Sequence, residues 1–305
     1  MTGFTAREPR YRGRFAPSPT GRLHFGSLLA AVGSYLDARA AGGEWLLRIE
    51  DVDEPRSVAG AADDIRHTLA ALGFAWDGEL LVQSRRKDRY RAALERLQAS
   101  GDAYPCACSR SEIAAAAVAE AVDGGLVYPG TCRNGLPAGR SARAWRLRVP
   151  AAPIAFADRV QGPQSQDLER EVGDFVLLRA DGLFAYQLAV VVDDAEQGVN
   201  AIVRGADLLA STPRQIWLQQ RLGVATPSYA HLPVATAGGQ KLSKQTRAPA
   251  VDPAGGSALL ATVLAFLGQP LPADAARLPL PEFWQWAIAH WAMARVPAVR
   301  TLALD

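Results

Sequence analysis

Residues 14–27 read RFAPSPTGRLHFGS, and this stretch decides the fold. Arg14-Phe15-Ala16 is the end of a short apolar strand. Pro17-Ser18-Pro19-Thr20-Gly21 extends neither a strand nor a helix, because two prolines and a glycine interrupt the hydrogen-bond ladder. An apolar series at helical spacing (Leu28, Leu29, Val32, Tyr35, Leu36) starts near Ser27 and stops before Gly42-Gly43, a pair suited to a C-cap. His24 and Gly26 therefore sit where a strand hands over to a helix. Backbone N–H groups unpaired at such a start form an anion site, and a glycine there lets a phosphate approach closely. A histidine beside them can place a charge or a hydrogen bond on a reacting phosphate. An ordinary turn carries the same two residues, so the rest of the chain has to decide.

Beyond the first helix, EWLLRI over Glu44–Ile49 is an apolar run of the kind a buried parallel strand needs. It ends in Glu50-Asp51-Val52-Asp53. Carboxylates just past the C-terminal end of such a strand stand where open α/β sheets hold ligands, and they can equally open the next helix, over 59–72. We expect both: Asp51 or Asp53 structural, Glu50 facing a ligand. An arginine-rich amphipathic helix follows over 85–97. Apolar runs return at 175–178 and 184–192, each readable as strand or buried helix. Ile202-Val203 leads into Arg204-Gly205, a helix with Pro213 in its first turn spans 212–222, and 229–234 forms a last strand before Gly238-Gly239. From 251 onward the chain reads as a helical tail.

A chain of 305 residues, 49% hydrophobic, can bury one large core or two modest ones. No apolar stretch is long and uncharged enough to span a membrane. Residues 1–12 are polar and basic, unlike a signal peptide, which leads us to expect a cytoplasmic protein. The net charge of +2 is too small to attract nucleic acid globally, so any RNA contact must come from local arginine clusters. Lysine occurs only at Lys87, Lys241 and Lys244, and two of the three fall within Lys241-Leu242-Ser243-Lys244-Gln245. A compact ammonium on a flexible stem suits a moving phosphate, where arginine serves elsewhere in this chain.

The three cysteines cluster at 106, 108 and 132, an odd set that favours a metal or free thiols over a disulfide framework. Two thiolates one residue apart and a third on a distant turn can close three corners of a tetrahedral zinc site, with the phenol oxygen of Tyr128 as the fourth ligand. Three reduced thiols in a small core are the alternative. An alanine-rich helix over 109–122, a loop over 123–130 and irregular β-structure over 149–166 fit an inserted subdomain.

PSPTGRLHFGS, LLRIEDVD, YQLAVVVDD, IVRGADLLASTPRQ and KLSKQ occur in the order seen in class I glutamyl-tRNA synthetases, and the chain resembles them from residue 14 to about 251. HFGS is similar to that class's HIGH element, with Ser27 in place of the last histidine, and KLSKQ to its KMSKS loop. Only about sixty residues follow the lysine loop, where a full glutamyl-tRNA synthetase carries large helical anticodon-binding domains. With the C-x-C…Tyr-x-x-x-Cys arrangement and KLSKQTRAPA, the chain resembles the glutamyl-Q tRNA(Asp) synthetase family.

That resemblance implies an α/β fold, the Rossmann-like parallel sheet of class I aminoacyl-tRNA synthetases, with a zinc-bearing insertion and a short helical C-terminal tail. The nucleotide-binding domain would occupy 1–105 and 173–250, the insertion 106–172 and the tail 251–305. It implies a ligase that activates L-glutamate with ATP and Mg2+ and attaches it to the queuosine base in the anticodon of tRNA(Asp), with no membrane partner. His24, Lys241 and Lys244 would be catalytic, and Thr20, His24, Gly26, Ser27, Lys241 and Lys244 would hold ATP. Arg14, Ala16, Ser18, Glu50, Tyr186 and Arg204 would hold glutamate. Two arginines for two carboxylates and one glutamate for the ammonium is the charge balance that this substrate needs. One structural zinc would sit on Cys106, Cys108, Tyr128 and Cys132. The rival readings are a short glutamyl-tRNA synthetase charging the 3′ end of tRNA, another nucleotidyltransferase of the superfamily, and a catalytically silent binding protein.

Overall fold

The computed structural model describes residues 10–117, 119–122, 124–237, 240–241 (backbone alone) and 249–304. Strand β1 (Arg12–Phe15), helix α1 (Phe25–Ala40) and strand β2 (Glu44–Ile49) form a parallel β–α–β unit, with Arg12 opposite Glu44 and Phe15 opposite Leu47. Helix α1 begins two residues before Ser27 because the His24 side chain caps it, and it ends where Gly42 takes a left-handed conformation with φ +62°. Helix α2 (Ala61–Ala71), strand β3 (Leu81–Val82), parallel to β2, and helix α3 (Lys87–Ala99) complete the first half.

The chain then leaves the sheet. Strand β4 (Ala103–Cys106), helix α4 (Arg110–Ala116), strand β5 (Ala144–Leu147), strands β6 (Ile154–Asp158) and β7 (Gly162–Gln166), helix α5 (Leu168–Glu171) and strand β8 (Val176–Leu178) follow. Strands β4, β5 and β8 make a separate antiparallel sheet. The β6–β7 hairpin instead pairs with the main sheet, Asp158 opposite Tyr229. Helix α4 starts at a Ser109–Glu112 capping box but covers only half of the expected stretch, since it buries no residue that would hold a longer helix against the body.

Of the two apolar runs readable either way, the first is strand β8 and the second enters helix α6 (Tyr186–Glu196). It leads to strand β9 (Ala201–Gly205), helix α7 (Thr212–Leu222) and strand β10 (Ser228–Leu232), parallel to β9. Pro233 separates β10 from β11 (Val234–Ala237), so the expected last strand is two strands. Strand β12 (Gln240–Lys241) pairs with β11, and the tail contributes helices α8 (Gly256–Phe266) and α9 (Leu280–His290) and strand β13 (Thr301–Ala303), which pairs in parallel with β11.

Strands β1 and β9 lie side by side. The Asn200 N–H donates to the Arg12 carbonyl at 3.0 Å, and the Arg12 N–H donates to Asn200 Oδ1 at 2.8 Å. The strand order is thus β3-β2-β1-β9-β10-β6-β7, and it reverses direction at β1. Leu47, Val203 and Ala230 pack into a core with α1, α8 and α9, whereas Leu46, Ile202 and Tyr229 pack into a second core with α3, α6 and α7. With both faces covered, the strands read as continuous apolar runs. Among the described residues no helix is long and apolar enough to cross a membrane.

Candidate active site

In an open parallel sheet, ligands bind beyond the carboxyl ends of the strands at the point where the order reverses. A cleft of about 510 Å3 opens there, between the ends of β1, β2, β9 and β10. Arg14, Ala16, Ser18, Thr20, His24, Gly26, Ser27, Glu50, Tyr186 and Arg204 all line it, so the fold collects on one surface residues spread over about 190 positions of sequence. The backbone of Lys241 lies in β12, opposite Thr236. Its side chain and the whole of Lys244 lie outside the described residues.

At the strand–helix turn, the Ser27 N–H donates to His24 Nδ1 at 3.3 Å, which leaves the ring proton on Nε2 to face Ser27 Oγ at 3.0 Å. An anion entering here would compete with the imidazole for that N–H. Past the lysine loop, Ala250 bridges to His24 and the Val251 N–H donates to the Leu23 carbonyl at 2.8 Å. The loop's two flanks are therefore anchored, one on β11 and one on the strand–helix turn.

The carboxylates after β2 divide between internal pairing and the cleft. Asp51 accepts from the Ser84 N–H and Oγ–H, both at 2.7 Å, and Asp53 accepts from Arg56 at 2.6 Å and lies 3.1 Å from Arg179. Glu50 faces the cleft. Its buried Oε1 has no hydrogen-bond partner, and burial pushes the Glu50 carboxyl up to about 7 against the pull of Arg48 and Arg14.

The two arginines at the cleft are held differently. Arg14 Nε lies 3.1 Å from Asp194 Oδ1, which also accepts from Arg48. Burial would raise the Asp194 carboxyl, but Arg14 and Arg48 hold it below the usual carboxylate range. The neighbouring Asp193 accepts from Gln83 and Tyr90 at 2.8 Å and from Arg86 at 2.7 Å. Sequence reasoning missed Arg48, Asp193 and Asp194. Their signal was a charge inside an apolar run (LLRI, VVVDD), which goes into a core only when paired.

Arg204, 4% exposed, meets no carboxylate within ion-pair reach among the described residues. Its Nε–H donates to His231 Nε2 at 3.0 Å and its Nη2–H to Thr212 Oγ1 at 2.9 Å, while the buried Nη1 has no partner. Tyr186 opens α6 between these ends, its hydroxyl made less acidic by burial and by the Glu50 charge. A smaller cavity of about 220 Å3 shares Ser18, Thr20, Glu50 and Tyr186 with the cleft and reaches Asp53, Arg56 and Arg179.

The cysteines lie in the insertion. The sulfurs of Cys106, Cys108 and Cys132 fall within 4.8 Å of one another, with Cys108 and Cys132 at 3.6 Å. Zn–S bonds of about 2.3 Å in a tetrahedron separate sulfurs by about 3.8 Å, so the three fit a metal with small adjustments. The Tyr128 hydroxyl is 3.4 Å from Cys106 Sγ and 3.6 Å from Cys108 Sγ, at the fourth corner, and it accepts the Cys132 N–H at 2.9 Å. Gly173, at φ +73°, runs so close that a Cβ there would lie 2.6 Å from the Tyr128 nitrogen. That close approach seats Tyr128 beside the sulfurs.

Residues 10–254 match the family of class I tRNA synthetases (E and Q), catalytic domain. The chain is 66% identical over 288 residues to the glutamyl-Q tRNA(Asp) synthetase of Dechloromonas aromatica, covering 94% of this chain and 96% of that one. It is 63% identical over 289 residues to the protein of the same name from Chromobacterium violaceum, again covering 94% and 96%. The crystal structure of a glutamate tRNA ligase from Elizabethkingia meningosepticum, in complex with its amino acid, is similar with a TM-score of 0.79 at 26% identity, over 97% of this chain and 67% of that one. Glutamate-tRNA synthetase from Elizabethkingia anophelis gives 0.78 at 27%, over 95% and 67%. A cleft at the switch point of a class I sheet, together with identity of this extent over nearly the whole length, means that the chain belongs to the glutamyl-Q tRNA(Asp) synthetase family of class I tRNA synthetases.

Proposed function

We propose that the protein activates L-glutamate with ATP and transfers the glutamyl group to the queuosine base in the anticodon of tRNA(Asp). The observation that carries the glutamate assignment is a pair of buried groups in one cleft without hydrogen-bond partners: an acceptor, Glu50 Oε1, whose nearest cation is Arg48 Nε at 3.9 Å, and a cationic donor, Arg204 Nη1. An ammonium and a carboxylate satisfy both. In this reading Arg204 takes the side-chain carboxylate; Arg14 faces the same space and supports the α-carboxylate, while Ala16, Ser18 and Tyr186 shape the wall. ATP, accompanied by Mg2+, lies along the strand–helix turn.

In the first step, a glutamate carboxylate oxygen bonds to the α-phosphorus of ATP as the bond to pyrophosphate breaks. Such a transfer asks the protein for position and charge stabilisation. Thr20 and the N–H groups of Gly26 and Ser27 orient the α-phosphate, with the Ser27 N–H exchanging His24 Nδ1 for a phosphate oxygen. The freed imidazole then steadies the charge that develops there. Lys241 and Lys244 neutralise the departing pyrophosphate. In the second step, a queuosine hydroxyl attacks the activated carbonyl carbon and AMP leaves. The smaller cavity, which shares four residues with the cleft, offers that hydroxyl a way in. Zinc on Cys106, Cys108, Cys132 and Tyr128 would be structural, pinning the turn at 128–132, since none of the four lines the cleft or the smaller cavity.

The test uses radiolabelled glutamate and tRNA from cells that do and do not make queuosine. Label should enter only the queuosine-containing pool, and nuclease digestion should place it on the anticodon-loop fragment. Equal labelling of both pools, at the 3′-terminal adenosine, would replace this reading with that of a short glutamyl-tRNA synthetase.

A further inference from the structure

Behind Arg204 lies a chain of buried groups, Asp158 and His231, that do not themselves line the cleft. Asp158 is at the end of β6, His231 on β10 and Arg204 on β9, so three adjacent strands present them in a row. His231 Nδ1 lies 2.6 Å from Asp158 Oδ2, and both side chains are fully buried. An arginine can only donate, so His231 Nε2 must be the acceptor of the Arg204 Nε–H, and the ring proton is on Nδ1, toward Asp158. Asp158 is itself fastened: its Oδ1 accepts the N–H groups of His231 at 3.1 Å, Val160 at 3.0 Å and Gln161 at 2.8 Å. Thr212 Oγ1 accepts the Arg204 Nη2–H and lies 3.2 Å from His231 Nε2 and 3.4 Å from the Leu208 carbonyl, which completes the seat.

We propose that Asp158 and His231 are positioning residues that set the protein's preference for a ligand carboxylate, by locking a neutral imidazole lone pair against Arg204 Nε so that the guanidinium keeps an unpartnered Nη1 and an open charge at the cleft. The inference rests on the reading of the cleft as a glutamate site. It follows from a contrast in acceptors. A carboxylate in the place of His231 would neutralise the guanidinium and weaken its pull on an incoming anion. A protonated imidazole would repel it and offer no lone pair. Only a neutral ring in one tautomer both orients Arg204 and leaves its charge uncompensated, and an ionised carboxylate on Nδ1 selects that tautomer. The surroundings favour the neutral ring. Burial, together with the Arg204 charge, outweighs Asp158 and Asp207 and brings His231 down to about 4, and the Tyr229 ring stacks on it at 6.1 Å between centroids.

The experiment compares wild type, His231→Phe, His231→Gln and Asp158→Asn in glutamate-dependent ATP–pyrophosphate exchange, with KM and kcat measured for glutamate, glutamine and ATP. Phenylalanine keeps the stack and removes the acceptor, so the KM for glutamate should rise roughly 10- to 100-fold and the preference over glutamine shrink by a similar factor, with the KM for ATP unchanged. Glutamine, whose amide oxygen can stand near the Nε2 position, should recover most of that preference. Asp158→Asn should fall between. The wild-type ring is read directly by 15N NMR, which four histidines make tractable: His231 should show a proton on Nδ1 and none on Nε2 from neutral pH down to mildly acid pH. An Nε2–H tautomer in wild type overturns the proposal even where a variant fails to fold. So does a wild-type glutamate-to-glutamine ratio in folded His231→Phe. If wild type itself shows no glutamate-dependent exchange, the glutamate reading fails instead.

Discussion

The two arginine ends of the cleft solve opposite problems. Arg14 shares Asp194 with Arg48, and a web of Gln83, Arg86 and Tyr90 around Asp193 holds the neighbouring carboxylate in place. Its charge is matched inside the fold. Arg204 rests on an imidazole and a hydroxyl, and its charge is left open. A buried guanidinium without a carboxylate is costly to the fold, and the same lack makes it a strong anchor for an anion. One end thus ties β1 and β2 to α6, whereas the other end leaves a cationic donor without a hydrogen-bond partner at the cleft.

The largest effect that would break this contrast is on stability. Asp194→Ala leaves Arg14 and Arg48 buried without their shared carboxylate, and should cost about 3–5 kcal/mol in denaturant unfolding. A loss below about 1 kcal/mol would mean that the Arg14 end is not the structural one.

Next comes Arg204→Met. It should lower kcat/KM for glutamate in pyrophosphate exchange by roughly 10²- to 10³-fold while leaving the melting temperature unchanged or higher, because an uncompensated buried cation has become an apolar side chain of similar reach. Glutamine, which lacks the second negative charge, should be a poor substrate for wild type and lose far less. A variant that melts early and keeps its preference for glutamate would reverse the assignment of the two ends.

Between the arginines, Glu50 supplies a pH test. With its carboxyl near 7 in the free protein, it is partly protonated at neutral pH and must ionise to hold an ammonium. On the reading of the cleft as a glutamate site, binding should therefore release a proton. Affinity should be full above pH 7 and weaken about tenfold per unit below it, with Glu50→Gln flattening the profile. A glutamate KM flat across neutral pH would remove Glu50 from the ammonium site.

The smallest effect on the contrast should come from metal. Protein prepared without chelator should carry about one zinc per chain, and stripping it should lower the melting temperature without moving the glutamate-to-glutamine ratio. Absence of zinc in elemental analysis would return the cysteines to the free-thiol reading.

Local signals were enough for the frame. Prolines and a glycine after a strand end, an apolar period of helical spacing and carboxylates after EWLLRI placed the strand–helix turn and Glu50, because turn chemistry and helix periodicity act over a few residues. The order of the motifs supplied the remaining cleft residues by resemblance, and the cysteine spacing pointed to the cluster. What local signals could not supply was every pairing over long range. The run at 184–192 is a helix, which its uniform apolarity hid, since an element buried on most sides shows no period. Strand β13 pairs with β11 across 67 positions of sequence, Val234 opposite Thr301. Asp194 reaches Arg14 across 180 residues, and His231 reaches Asp158 across 73. The sequence by itself, through the order of its motifs, pointed to two arginines and a glutamate at one site, and the fold collects all three in one cleft. Which arginine the fold neutralises and which it leaves open was decided only by tertiary packing, because a buried charge takes its partner from whatever the neighbouring strands and helices bring within reach.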